Sequence, residues 1–264
     1  MMGISIAGLD PSGGAGIIAD IKTFSALEIH GTSVITALTA QNPSEVFSLM
    51  PIDKGYIKEQ FDSIFAEYGE NIKYGKTGML YSPEIIKTVA KKIKEYDINI
   101  IVDPVMVASA GESLLKEKKD MKNSKETIAN ALKKYILPQA TITTPNISEA
   151  EVLAGMKINN PEDAKNAAYE IGRICNVIIT GGHLNGINTI FNKFNDTLKT
   201  IEKSLINTTN THGSGCTFSA ALTGYLIKNN DLNKAIKKSL DFTEIAIKNG
   251  QYGTLKQNNC LGLK

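Results

Sequence analysis

The sequence predicts an open α/β fold, a mostly parallel central sheet with helices on both faces. Three observations carry this. Short aliphatic or β-branched runs alternate repeatedly with amphipathic stretches, as in a parallel sheet built from crossover units. The runs Ile98 to Val102 and Asn176 to Thr180 are apolar almost throughout, as strands covered on both faces should be. Glycines and polar residues collect where the runs stop, and ligands of open α/β sheets sit beyond the carboxyl ends of strands.

The 264 residues contain no Pro/Ser-rich linker or break in composition, so a single domain over 1–264 is expected. A net charge of +2 implies neither nucleic acid nor an anionic membrane as partner. The lysines of the 116–134 region read as a solvated helical face. Cys175, Cys216 and Cys260 are odd in number and lack a CxxC pair, which argues against a disulfide frame or zinc site and for a reducing, cytoplasmic location. No apolar run approaches the roughly 20 residues of a membrane span.

Gly3 to Ala7 opens the chain as a strand, followed by the glycines of GLDPSGGAG and a helix marked by Ile17, Ile18, Ile21, Phe24 and Leu27. Gly14 to Ala19 satisfies GxGxxA, but the pattern starts too far from the strand and lacks the later acid of a dinucleotide site. Thr32 to Ala40 is a β-branched strand ending at Gln41, Asn42 and Pro43. Gln41 is either a turn residue or an amide placed to read a planar heterocycle. Glu45 to Met50 suggests a further strand, and Ile57, Phe61, Ile64 and Phe65 a helix.

Ile72 to Leu80 contains GKT, but a phosphate loop needs a glycine five positions before Gly75, where Glu70 stands. The stretch therefore reads as a strand that brings Thr77, Gly78 and Met79 to the sheet edge. Ser82 and Pro83 are a cap and first-turn pair. Asp103 ends the next strand, where a carboxylate serves metal or phosphate, and the 105–115 loop with Gly111 suits a movable cover. A helix over Lys125 to Leu137 and a strand over Ala140 to Thr144 follow. Ser148 or Asn146 then starts a helix, with Glu149 as a dipole-complementing acid or a holder of metal-bound water. Pro161 to Ile174 is a helix, Asn176 to Thr180 a strand before Gly181 and Gly182, and Asn188 to Phe194 with Thr197 to Lys203 a small hairpin about Asn195 and Asp196. Asp231 to Lys248 closes the fold as a helix.

The densest chemical signal is TTNTHGSGCTFSAALTGYL, residues 208–226. Phe218, Leu222, Tyr225 and Leu226 share a helix face, while Gly213, Ser214 and Gly215 lie where unpaired N–H groups and the helix dipole bind anions. Cys216 is in that first turn, so a lowered thiol pKa is expected. It is a base, a member of the anion hole, or a buried core cysteine. Gly8 to Asp10, Gln41, Thr77 to Met79, Asp103, Asn146 to Glu149 and Thr180 to Gly182 all follow strands and should meet on one edge, an arrangement suited to phosphoryl transfer.

AGLDPSGGAGIIADIKTFSALEIHGTSVITALTAQN, VDPVMVA, TPNISEAE, GGHL and THGSGCTFSAAL together resemble the hydroxymethylpyrimidine/phosphomethylpyrimidine kinases of thiamine biosynthesis, in the ribokinase-like superfamily. The likeness runs in order from Ile4 to about Leu226. It implies a ribokinase-like fold, usually dimeric, and ATP- and Mg-dependent phosphorylation of 4-amino-5-hydroxymethyl-2-methylpyrimidine and then of its monophosphate. It places Gly8, Ala15, Asp20, Gln41, Met79 and Val105 around the pyrimidine, and Gly213, Ser214 and Gly215 in the anion hole. It also places Cys216 as base or as orienting thiol, Asp103 and Glu149 toward Mg, and Asn146, Glu149, Thr180 and Gly182 toward the nucleotide. Thr180 stands where the family usually carries Lys, and Ser109, Ala110 and Gly111 where its loop usually includes one. Lys76, or Mg alone, is expected to make good the missing charge. Two other readings remain at this point: a pyridoxal-type kinase of the same fold, and a non-catalytic pyrimidine-binding protein.

Overall fold

A computed structural model describes residues 1–106, 121–182 and 184–258. Its strands are β1 (Met2–Leu9), β2 (His30–Gln41), β3 (Val46–Pro51), β4 (Ile72–Thr77), β5 (Asn99–Val102), β6 (Ala140–Thr143), β7 (Val177–Ile179), β8 (Ile187–Asn192) and β9 (Thr197–Glu202). They form one sheet in the order β3-β2-β1-β4-β5-β6-β7-β8-β9. The strands from β2 to β7 run parallel. Strand β3 and the β8–β9 hairpin add antiparallel edges, so the hairpin extends the main sheet and is not a separate element.

The helices are α1 (Gly16–Ala26), α2 (Lys54–Tyr68), α3 (Pro83–Glu95), α4 (Met121–Ala131), α5 (Ile147–Ala154), α6 (Pro161–Gly172), α7 (Ser214–Asn229) and α8 (Leu232–Lys248). Side chains alternate along a strand, and the sheet sorts them accordingly. Ile100, Val102, Val177 and Ile179 pack with Phe61, Ile86, Val89 and Ala168 on one face. Ile101, Ile142 and Ile178 pack with Phe24, Phe218, Leu222 and Phe242 on the other. Two apolar layers on one set of strands explain the near-continuous hydrophobic runs.

Local signals set the helix ends. Ser82 Oγ accepts from Ile85 N at 3.3 Å with Pro83 in the first turn, and Asp231 caps α8 through Lys234 N. The helix expected over Lys125 to Leu137 starts at Met121 and widens into a π-turn at Leu132–Ile136 and a 3-10 turn at Leu137–Gln139. Pro138, which has no N–H to donate, stops it before β6.

The chain leaves β1 for β2 on one side and returns to β4 on the other. The switch point, where the crevice of an open sheet forms, therefore lies between the ends of β1 and β4.

Candidate active site

On the acceptor side of that crevice the loop after β1 is wound around Asp10, which is 2 % exposed. Its carboxylate accepts from Ser12 N at 2.8 Å, Ser12 Oγ at 2.9 Å, Ala15 N at 2.9 Å and His212 Nε2 at 2.8 Å. Burial works to raise its pKa, but the bonds from His212, Gln41 and Ser12 outweigh burial and hold the carboxyl well below the usual range. Asp10 is expected on this edge only as part of the strand end Gly8 to Asp10, and the sequence gives His212 no role. The Asp-Pro-Ser turn pattern was a signal for the first, but nothing local marks a partner 202 positions away.

Gly8 and Met79 face each other across the switch point, since a Cβ on Gly8 would lie 2.6 Å from Met79 Cε. Thr36 Oγ1 pins the Met79 carbonyl at 2.6 Å. Gln41 ends β2 with its amide beside Asp10 and its Oε1 buried without a partner among the described residues. Ala15 caps α1. Val105 N bonds back to the Asp103 carbonyl at 2.9 Å, which turns the chain at the start of the 105–115 loop. The loop from 107 onward, including Ser109 to Gly111, lies outside the described residues, as do His183, Cys260 and the end of the tail.

Helix α7 meets this loop head-on. Gly213 is its N-cap at φ +86°, and a Cβ there would collide with the Gly14 carbonyl, so only glycine fits. Ser214 N bonds Thr211 O at 3.1 Å and Thr217 N bonds Gly213 O at 2.8 Å. The N–H groups of Gly215 and Cys216 belong to the first turn and have no place in the helix's own ladder, and the space before Gly215 is open.

Behind Cys216 lies a dry charged cluster. Lys76 Nζ is 2.9 Å from Asp20 Oδ1 and 3.6 Å from Asp103 Oδ2. Ser5 Oγ donates to Asp20, and Ser219 Oγ donates to Asp103 at 3.0 Å. Three expectations change here. The Cys216 thiol is not lowered: burial, with Asp103 and Asp20 adding to it, outweighs Lys76 and pushes it up to about 12. Asp20, expected in the pocket wall, is fully buried and taken up by Ser5 and Lys76. Lys76, expected to make good a missing phosphate cation, is fully buried with its charge directed at carboxylates. Burial opposes that charge, but Asp20, Cys216 and Asp103 together hold its pKa above the usual lysine range.

On the far side of Asp103, Asn146 begins α5 in a capping box. Its side chain accepts from Glu149 N at 2.9 Å while Glu149 Oε2 accepts from Asn146 N at 3.0 Å. Glu149 is thus the helix-start acid, and its surroundings add more: burial first and the Asp103 charge second push its carboxyl up to about 8. Thr180 N donates to the Pro145 carbonyl at 2.9 Å, and among the described residues nothing stands within 4 Å of a Cβ on Gly182. Two neighbouring, poorly solvated carboxylates at strand ends suit a hard divalent cation, which removes their mutual repulsion.

Gln41 Oε1, Thr77 Oγ1 and Thr144 Oγ1 are buried without a partner among the described residues, and all three stand at carboxyl ends of strands along this edge. Buried oxygens of this kind are completed by a water, an ion or a ligand, and a fourth, Thr189 Oγ1, lies in β8 away from this edge. Cavities of 480 and 300 Å³ lie elsewhere, one lined by Lys248 to Gln251 with Lys256 and Asn258, the other by Lys54, Lys58, Glu84, Lys87, Thr88 and Lys91, and neither reaches these residues.

A glycine-flanked helix start that faces an acidic strand end suits phosphoryl transfer. The chain belongs to the phosphomethylpyrimidine kinase family, whose model matches residues 10–259. The match continues well past Leu226, where the likeness read from the sequence stopped. A hydroxymethylpyrimidine/phosphomethylpyrimidine kinase of Bacillus subtilis is 40 % identical over 251 residues, 93 % of this chain and 89 % of its own length. The fold is similar to an ADP complex of Bacillus subtilis pyridoxal kinase, with TM-score 0.86, 34 % identity and coverage of 100 % and 99 % of the two chains. It is also similar to a phosphomethylpyrimidine kinase from Clostridium difficile, with TM-score 0.73, 37 % identity and coverage of 90 % and 96 %.

Proposed function

We infer that this chain transfers the γ-phosphate of ATP to 4-amino-5-hydroxymethyl-2-methylpyrimidine and then to the resulting monophosphate, the step that prepares the pyrimidine half of thiamine. The observation that carries this reading is the Gln41 amide. Its N–H side is engaged by the Asp10 carboxylate, so the amide presents Oε1, a buried acceptor without a partner, to a donor such as the 4-amino group. Met79 Cε packs over Gly8, and together with Ala15 and Val105 these residues border the place of the ring.

With the ring seated, its hydroxymethyl group is directed at the first turn of α7. The N–H groups of Gly215 and Cys216, with Ser214 and Gly213, stabilise charge on the transferring phosphoryl group. Cys216, held as a neutral thiol by burial, orients the hydroxyl. A loose transition state asks little of a base early in transfer. Asp103 and Glu149 hold Mg, largely through water, and Mg supplies charge neutralisation on the phosphates when bound. Asn146, Thr180 and Gly182 line the nucleotide side.

A pyridoxal-type kinase is the second reading, supported by the fold's likeness to the pyridoxal kinase of Bacillus subtilis. The Gln41 acceptor suits the 4-amino group of the pyrimidine, which offers it two N–H donors, where pyridoxal has a single ring hydroxyl donor. The test is a competition assay, in which kcat/KM for the hydroxymethylpyrimidine exceeds that for pyridoxal and the excess shrinks in Gln41→Leu, which removes the acceptor. Equal values in the unaltered protein would favour the second reading. A binding protein without turnover remains as an outcome of the same assay.

We further propose a single domain that forms a homodimer in the cytoplasm. Strand β3 is an open edge with Phe47 and Met50 55 % and 57 % exposed, a surface that a second copy would cover. Among the described residues no helix is long and apolar enough to cross a membrane. Sedimentation of the purified protein at monomer mass would contradict the dimer.

A further inference from the structure

Lys76 stands one residue before the end of β4, fully buried. A lysine in a dry site costs stability unless it is paired, and an apolar side chain of similar volume often serves stability as well. Its two partners come from opposite sides of the crevice. Asp20 belongs to α1, behind the acceptor loop, at 2.9 Å, and Asp103 follows β5 on the donor side at 3.6 Å. Asp103 Oδ2 has a second hold from Ser219 Oγ at 3.0 Å. Ser219 sits one turn into α7, and the carbonyls of Gly215 and Cys216, at 3.0 and 3.1 Å from its Oγ, are the alternative acceptors for its single proton.

We propose that Lys76 is a positioning residue: together with Ser219 it fixes the Asp103 carboxylate relative to the mouth of α7, and Asp20 is the counter-charge that keeps Lys76 from neutralising Asp103. The shorter Asp20 contact and the longer Asp103 contact are the geometry this requires. Asp103 is steered by the cation yet keeps charge for a divalent ion. The inference rests on the kinase reading above.

The test uses two variants. Lys76→Met with Asp20→Leu replaces the buried pair by apolar side chains and leaves Asp103 without its steering cation. This protein is expected to fold and to bind the pyrimidine within about threefold of wild type. Its kcat is expected to fall about 100-fold, because a misplaced catalytic group costs that much. Asp20→Asn conserves volume and leaves Lys76 charged, so the lysine shifts toward Asp103. The affinity of the ADP-bound protein for Mg, read by calorimetry, is expected to drop about tenfold through this added positive charge, while pyrimidine affinity is unchanged. Values of kcat in the double variant and Mg affinity in Asp20→Asn within about threefold of wild type would overturn the role of Lys76. Wild-type protein that fails to phosphorylate the pyrimidine would remove the kinase reading instead.

Discussion

His212 Nε2 donates to the Asp10 carboxylate at 2.8 Å, and this bond ties the glycine loop after β1 to the segment that enters α7. The loop and the start of α7 are thereby held in one register, although 202 positions separate the two residues.

Replacing Asp10 by Asn turns an acceptor toward the Ala15 and His212 donors into a donor. A loss of about 3 kcal/mol is expected. The Asp10 carboxyl lies below its ordinary value in the folded state, so its contribution is fully present above the unfolded value of about 3.9 and is lost as pH falls below it. Urea unfolding should therefore show a constant gap between wild type and Asp10→Asn from pH 7 to 5 and a closing gap below about pH 4. A gap independent of pH down to 3 would contradict this.

Gly213→Ala places a methyl group against the Gly14 carbonyl at φ +86°. The loop must move and the N-terminus of α7 with it, so kcat is expected to fall at least about 100-fold. Gly182→Ala, whose Cβ meets nothing within 4 Å among the described residues, is the control and should keep the melting temperature within about 2 °C.

Cys216 is expected to react as a thiol with a pKa of about 12. Its iodoacetamide alkylation rate, followed by mass, should rise about tenfold per pH unit from pH 7 to 9.5 with no plateau. A plateau near pH 8 would mean that Lys76 and the helix terminus outweigh burial.

Glu149 gains its proton affinity on folding, with a carboxyl pushed up to about 8 against about 4.3 unfolded. The folded state therefore binds more protons between these values, and without Mg the protein loses stability as pH rises through that window. Glu149→Gln keeps an oxygen for the Asn146 N–H and should abolish the loss, melting a few degrees above wild type at pH 8.5 without Mg while requiring more Mg for turnover. A lower melting temperature for the variant under those conditions would contradict it.

Much of the fold was legible because its signals are local. The Ser82–Pro83 start, the Asn146 cap and the apolar strand runs depend on neighbours within a turn or on a two-sided core. The edge residues from Gly8 to Gly182 could be named because strand ends advertise themselves through glycine and polar residues. The charges could not be read in the same way. Whether Cys216 is raised or lowered depends on the balance of burial, Asp103 and Asp20 against Lys76, and all three side chains come from other elements. The fate of Lys76 and Asp20 depends equally on β4 lying beside β1, and the two residues stand 56 positions apart. Thr180 was legible as a departure only through the family likeness, and its backbone donates to Pro145. Thr180→Lys, which restores a cation on that edge, is expected to lower KM for ATP by about tenfold.

The central claim is tested most directly by incubating the purified protein with ATP, Mg and 4-amino-5-hydroxymethyl-2-methylpyrimidine and resolving the products by mass. The expected result is a pyrimidine carrying one and then two phosphates, with turnover sharply reduced in Gly213→Ala. Recovery of unmodified pyrimidine, with pyridoxal phosphorylated in a parallel incubation or with neither compound phosphorylated, would contradict it.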